Sequence, residues 1–259
     1  LTGSALRTVR GALSLLAVVL WFALNAPLCY LFILPLAALW RGGRRGLVSW
    51  FMRWMSGGIL FLFELGGARF DLRGVIPTAG PGLILMNHQS QLDIPIAALM
   101  GRPQVPAFVP RRLYTRWFIP LVAPSIWMLE CPVVDPRRDA RGALEAMREA
   151  AVGQPHGLVV FPEGHRSLDG EIRPFRAAGT IASLAARRVP VHLVVLDGLW
   201  EGRRFVDFLA NVPRLRGEVE VLGPFEPPAE EAALPAFVED CRGRMIHHLR
   251  EMRERRGRA

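Results

Sequence analysis

Lysine is absent from the chain: all 32 basic residues are arginine. That excludes a P-loop, whose Gly-Lys pair grips the phosphates, and any lysine Schiff base, pyridoxal phosphate chemistry included. Whatever anion the protein handles is held by guanidinium forks, by backbone N–H groups, or by both. Cysteine is scarce. The three present, Cys29, Cys131 and Cys241, are far apart and odd in number. This excludes a disulfide scaffold and a Cys-rich zinc module, and it points to a reducing, cytoplasm-facing location. His88, His165 and His192 show no zinc-ligand spacing, and no Gly-x-Ser-x-Gly nucleophile elbow occurs. Internal repeats and low-complexity linkers are missing too.

What the chain has in plenty is apolar residue. Its 259 residues are 51% hydrophobic, with a mean hydropathy of +0.24. That excludes a disordered chain and points towards a membrane. The length suits one large domain, or a domain with an appendage, able to bury a core without disulfides. A net charge of +9 suits nucleic acid, anionic lipid or a phosphorylated substrate.

The apolar excess is concentrated at the front. Residues 11–40, between Arg10 and Arg41, carry no charge. A straight helix of that length would run about 45 Å, well over a hydrocarbon core of about 30 Å. Asn25, Ala26 and Pro27 fall near the middle, where proline breaks or kinks a helix. The halves 11–24 and 28–40 would each be roughly 20 Å long, too short to cross alone. Arg7 and Arg10 lie before the run and Arg41, Arg44 and Arg45 after it, which favours keeping both flanks cytoplasmic. A hairpin dipping into one leaflet satisfies both facts; a single kinked, tilted span is the alternative. The run outlasts a normal signal-peptide core and lacks a clear A-x-A exit. Trp50, Phe51, Trp54, Phe61 and Phe63 follow, suited to a headgroup zone or to a core helix. Residues 1–65 are therefore expected to be membrane-associating helices.

From about residue 66 charges return, and short apolar runs alternate with helical stretches. Strands are expected at 69–73, 82–86, 105–109, 132–134, 157–161, 191–196 and 218–222. Helices are expected near 92–100, 114–123, 139–151, 177–187 and 231–252. Asp139 reads as an N-cap, with Ala143, Leu144, Met147 and Ala151 at helical spacing behind it. The pattern predicts an α/β domain over 66–259, a mixed and mostly parallel sheet flanked by helices. The C-terminal REMRERRGRA reads as a solvated, fraying helix end.

Two apolar runs stop at polar clusters. Leu83–Met86 is followed by Asn87-His88-Gln89-Ser90-Gln91-Leu92-Asp93. Leu158–Phe161 is followed by Pro162-Glu163-Gly164-His165-Arg166-Ser167. Ligands gather beyond the carboxyl ends of strands in α/β sheets, so the two clusters are expected to face one crevice. His88 and Asp93 make a base and its orienter if His88 sits in the turn and Asp93 in the first helical turn after it. Taken alone, that pair equally fits a helix cap beside a satisfied histidine. Gly164 lets backbone approach a ligand, Arg166 adds a fork for phosphate, and Arg173 and Arg176 precede a helix start, a natural seat for an anion.

These blocks carry a resemblance. NHQSQLD is similar to the Asn-His-x4-Asp block of the glycerolipid (lysophosphatidic acid) acyltransferase family, and FPEGHRS to its Phe-Pro-Glu-Gly-Thr-Arg-Ser block. PFRAAG, with Arg176 and Gly179, resembles the Pro-Phe-Lys-x-Gly continuation. Val189-Pro190-Val191 resembles a later Val-Pro-Val/Ile block. Order and spacing agree from about residue 69 to 225. H-x4-D alone is a weak signal, but followed by F-P-E-G-x-R-S it is highly specific.

The resemblance implies that His88, supported by Asp93, deprotonates the free hydroxyl of a 1-acyl-glycerol-3-phosphate. The hydroxyl oxygen then attacks the thioester of an acyl-CoA or acyl-carrier protein directly, giving phosphatidic acid for phospholipid biosynthesis. Glu163, Gly164 and Arg166 would bind the acceptor's glycerol phosphate, with Asn87, Ser90, Phe161, Pro162 and Ser167 completing the blocks. No cofactor or metal beyond the thioester co-substrate is implied, and no nucleic acid. The expected setting is the cytoplasmic face of the inner or plasma membrane. Three departures stand out. His165 replaces the family's threonine. Arg111-Arg112-Leu113-Tyr114 stands for a Lys-Lys-Glu-Leu-like segment. Residues 126–138 stand for Gly-x-Ile-Phe-Ile-Asp-Arg, leaving the family's phosphate role open between Arg137 and Arg138. Acylation of another lyso-lipid, such as a lyso-ornithine lipid or a lysophospholipid, is the nearest alternative, and lipid hydrolysis a further one.

Overall fold

Strands covered on both faces read as unbroken apolar runs, and Leu83–Met86 and Leu158–Val160 are buried at every position. The structure, a computed structural model, describes residues 3–115 and 121–258. In chain order the elements begin with α1 (Gly3–Leu28), a π-helical turn (Cys29–Ile33), α2 (Leu34–Leu39) and α3 (Arg44–Leu65). Then come β1 (Arg69–Arg73), β2 (Ile76–Pro77), β3 (Leu83–Met86), α4 (Asp93–Met100), β4 (Gly101–Arg102), β5 (Ala107–Phe108) and α5 (Val122–Met128). The chain ends with α6 (Ala140–Gly153), β6 (Leu158–Val160), α7 (Ala178–Ala186), β7 (Val191–Asp197), α8 (Phe208–Asn211), β8 (Arg216–Phe225) and α9 (Leu234–Arg258).

Among the described residues, six strands form one sheet in the order β1-β8-β7-β3-β6-β5. β7, β3, β6 and β5 are parallel, β8 runs antiparallel to β7, and β1 runs parallel to β8. This is the expected mixed, mostly parallel sheet. Alternate residues go to opposite faces. Ile84, Met86, Val159, Val194 and Leu196 pack with Leu15, Phe51, Phe63 and Ile96 of α1, α3 and α4. Leu83, Leu85, Leu158, Leu193 and Val195 pack with Met147, Leu184, Val238 and Met245 of α6, α7 and α9. Asp139 caps α6 as expected, accepting from Gly142 N–H at 2.7 Å.

The N-terminal arm differs from expectation. The helix does not break at Pro27; it runs on through residues 4–39. Pro27 sits in the last turn of α1, and the π-helical turn that follows lies directly before Pro35 at the start of α2, where its wider bonding accommodates that second proline. Asn25 stays helical, its Nδ2 donating back to Trp21 O at 2.8 Å and its Oδ1 accepting from Trp54 Nε1 at 2.9 Å. The chain reverses instead at residues 40–43, so the hairpin pairs 4–39 with α3. Both arms are long and apolar enough to cross a membrane, judged by length and composition. Gly58 admits the Trp21 ring between them, because a Cβ there would lie 2.3 Å from Trp21 Cε2.

Two further expectations meet a different outcome, and a third lies half outside the described residues. The strand expected at 132–134 is reduced to a single bridge between Val134 and Arg111, as Pro132 and Pro136 offer no N–H to a ladder. The helix expected over 114–123 falls by half on residues 116–120, outside the described residues. The C-terminal helix end is solvated over 254–258, as expected, but stays helical to Arg258 and is tied down rather than frayed. Met252 is fully buried, Arg253 and Arg256 reach Asp197, and Arg255 reaches Glu220.

Candidate active site

β7, β3 and β6 are adjacent and parallel, so their carboxyl ends share one edge of the sheet. Three loops therefore leave side by side, at Asn87, Phe161 and Gly198. Asn87 holds the first in place: its Nδ2 donates to Leu196 O and its Oδ1 accepts from Leu196 N–H, both at 2.8 Å.

His88 follows. Its Nδ1 lies 2.7 Å from Asp93 Oδ2. The Asp93 side chain has no exposure, while His88 keeps 19%. Asp93 opens α4, and its carboxyl also accepts from Gln89 N–H at 2.7 Å and from Ser90 N–H at 2.9 Å. With that oxygen accepting from every side, the network assigns the imidazole hydrogen to Nδ1 and the lone pair to Nε2. Phe161 stacks on the imidazole, its ring centroid 4.2 Å away.

The second loop is bound to the first through Glu163, which is 1% exposed. Its Oε1 accepts from His88 N–H at 2.9 Å and its Oε2 from Arg173 N–H at 3.0 Å. In return Ser167 N–H donates to His88 O at 2.7 Å. Burial pushes the Glu163 carboxyl above the usual carboxylate range, against the pull of its two N–H partners. Both oxygens of Glu163 are thus engaged with backbone, which makes it a positioning residue. Ser167 Oγ lies 2.9 Å from Glu171 O and accepts from Gly170 N–H. Arg176 N–H donates to Pro162 O at 2.7 Å.

Gly164 turns the loop at φ +73°, and a Cβ there would meet Arg176 Cδ at 2.9 Å. The Arg111 guanidinium donates to Gly164 O and that of Arg166 to Arg203 O. Arg111 and Arg176 thus meet at Gly164 of the loop that Glu163 fastens to His88, while Arg166, on the same loop, sends its guanidinium to the connection after β7. Arg112 N–H donates to Val134 O at 3.1 Å, which sets residues 132–138 beside it. Arg137 is exposed. Arg138 is also exposed, with Asp135 3.9 Å away. None of these last three is in contact with the His88–Asp93 pair among the described contacts. His165 is exposed. Gly179 lies in α7 against Met147, and Pro190 O accepts from Leu83 N–H at 3.0 Å to start β3; both act at a distance from the dyad, through packing.

Sequence reasoning missed a buried support. Gln89 Nε2 donates to Gly170 O at 3.1 Å and its Oε1 accepts from Leu199 N–H at 3.0 Å. Arg253 donates to the same Gly170 O and to Asp197, which Arg256 also reaches. Burial would raise Asp197, but the hydrogen bonds and charges of Arg253 and Arg256 hold it below the usual carboxylate range. The one available signal was Gln89 itself, inside the Asn-His-x4-Asp block. Among the described residues, no group of three or more His, Cys, Asp or Glu is arranged to hold a metal ion.

A base held by a buried carboxylate, beside gathered arginines on the carboxyl edge of an α/β sheet, is equipped to activate a hydroxyl near an anion. Residues 69–196, from β1 through β7 and including both loops, match the family model described as Acyltransferase, and the chain belongs to that family. It is an acyltransferase. Among curated proteins it is similar to 1-acyl-sn-glycerol-3-phosphate acyltransferase alpha from Bos taurus, 26% identical over 207 residues that cover 75% of this chain and 67% of the relative. The protein of that name from Homo sapiens is 26% identical over 207 residues, 75% of this chain and 68% of its own. Among solved structures the fold is similar to that of the 1-acyl-sn-glycerophosphate (LPA) acyltransferase PlsC from Thermotoga maritima. The TM-score is 0.71 at 21% identity, over 94% of this chain and 98% of that one.

Proposed function

We propose that the protein transfers a fatty acyl group from an acyl-CoA or acyl-carrier protein to the free hydroxyl of 1-acyl-glycerol-3-phosphate, making phosphatidic acid. The observation that carries this reading is the 2.7 Å His88–Asp93 pair tied through Glu163 to the arginine-bearing loop. His88 Nε2 takes the hydroxyl proton as the oxygen attacks the thioester carbonyl. The tetrahedral intermediate collapses, the C–S bond breaks, and the imidazolium returns the proton to the departing thiolate. The net exchange needs no cofactor beyond the thioester. Arg111, Arg166 and Arg176 offer the guanidinium forks that hold the acceptor's phosphate.

The acceptor is a membrane lipid, and the hairpin of 4–39 and α3 supplies the attachment. Leu13, Leu16, Leu24, Leu31, Phe32 and Leu39 are exposed along the first arm, and Trp50 and Trp54 along the second. With its other side packed on the sheet, this face sits in one leaflet, and Arg7, Arg10 and Arg41 hold the ends at the cytoplasmic surface.

An acceptor panel tests the assignment: 1-acyl-glycerol-3-phosphate, lysophosphatidylcholine and a lyso-ornithine lipid, each with acyl-CoA and with acyl-carrier protein. Fastest transfer to the phosphate monoester is expected. Preference for an acceptor without phosphate overturns it, and fatty acid release exceeding transfer at saturating acceptor marks a hydrolase instead.

A further inference from the structure

The connection from β7 to β8 exposes more apolar side chain than a connector needs. Trp200, Phe205, Val206 and Leu209 are 36, 47, 60 and 39% exposed within ten residues, with Arg203 and Arg204 among them. Single exposed apolar residues are ordinary. Arginine interleaved with tryptophan, phenylalanine and aliphatic side chains is the composition of a segment lying in a membrane interface.

The underside of this segment is fixed in two directions. Towards the hairpin, Phe208 turns inward onto Phe63 of α3, with ring centroids 4.8 Å apart. Leu209 abuts α1 so closely that a Cβ at Gly11 would fall 2.1 Å from its carbonyl oxygen. Gly11 lies on the buried side of α1 with Ser14, Leu15 and Val18, so the connection is packed on the inner face of the first arm, while Val9 and Leu13 are exposed on its outer face. Towards the site, Ser90 Oγ donates to Gly202 O at 2.8 Å, and the Arg166 guanidinium donates to Arg203 O. Trp200 lies against Gly170 of the second loop, where a Cβ would meet its Cδ1 at 2.8 Å.

We propose that residues 200–209 form a second lipid-contacting surface, a lip seated in the headgroup zone, which brings bilayer-embedded acceptor to His88. The proposal rests on the acyltransferase reading with a membrane acceptor. A lysolipid loses favourable burial with each methylene drawn out of the bilayer, so the site must come to the lipid. The hairpin fixes the protein to the surface. The lip, hydrogen-bonded to both catalytic loops, sets the depth at which their side chains meet the acceptor's hydroxyl.

The test compares acceptors rather than variants alone. The Phe205→Asp/Val206→Asp enzyme is assayed with long-chain lysophosphatidic acid in phosphatidylcholine/phosphatidylglycerol vesicles, and with a hexanoyl analogue dissolved as monomers. The expected result is a loss of at least about tenfold on the vesicle acceptor, little change on the dissolved one, and unchanged sedimentation with vesicles through the hairpin. Equal losses on both acceptors, or none on the vesicle acceptor, overturn the lip. A wild-type enzyme that turns over neither acceptor and ignores vesicles overturns the functional reading and the lip with it. A second measurement avoids the charged substitutions. Val206→Cys carries an environment-sensitive dye, the native thiols being buried or half-buried. Its emission should rise and shift to the blue on vesicle addition, and unchanged emission overturns the lip.

Discussion

The carboxylate of Glu163 grips the backbone of His88, not its imidazole, accepting from the His88 N–H at 2.9 Å. Its second oxygen holds Arg173 N–H. One buried side chain thereby fixes the origin of the base and the far end of the arginine loop together. Glu163→Ala leaves two buried N–H donors without partners, which costs roughly 2–4 kcal/mol. Chemical denaturation should show that loss, and transfer kinetics a fall in kcat greater than the change in acceptor KM.

His88→Ala removes the proton acceptor while leaving the Asp93 contacts to Gln89 and Ser90 in place. Transfer should drop by about 10²–10⁴-fold with little change in melting temperature. Asp93→Asn should lower kcat and also soften the start of α4, because the same oxygens serve the loop's N–H groups. Steady-state rates with parallel melting curves separate the two effects.

Arg253 supports the site from the end of α9. Asp197 is held below its ordinary range by Arg253 and Arg256 against the opposing effect of burial. A carboxyl with a depressed folded pKa contributes stability that is present above its unfolded pKa of about 3.9 and lost as pH falls through the folded value. Arg253→Ala should weaken that depression, so acid unfolding begins at a higher pH than in the wild type. At neutral pH the loss should be about 1.5–3 kcal/mol. Urea titrations across the acid range measure both.

Gly164→Ala places a Cβ at φ +73° and 2.9 Å from Arg176 Cδ. The left-handed conformation alone costs roughly 1–2 kcal/mol. Displacement of the Arg176 side chain should raise acceptor KM more than it lowers kcat, as substrate titrations would show.

The dyad was legible because both partners lie within one loop and the helical turn after it, where spacing limits geometry. The two polar clusters were legible as neighbours because each ends an unbroken apolar run, and buried parallel strands put their carboxyl ends on one edge. Glu163 was legible as part of the site but not in its role. Nothing local shows that its oxygens meet the N–H groups of His88 and Arg173. The Gln89–Asp197–Arg253 support was hidden for the same reason, as its members come from three elements over a hundred residues apart in places. Pro27 misled in the opposite direction. The local rule for proline describes a tendency, and here α1 carries Pro27 in its last turn and runs on into the π-helical turn without ending.

Leu15, Val18, Ile33 and Ala37 from the first arm share one core with Ile84, Met86, Val159 and Val194 from the sheet. The greasy arm is therefore the floor beneath the catalytic loops as well as a mooring. Trimming it away to obtain a water-soluble fragment would strip one wall from the interior, and the remnant should clump rather than stay dispersed. Detergent that mimics the bilayer's edge, with the chain left whole, is the route by which this enzyme keeps its shape outside a cell.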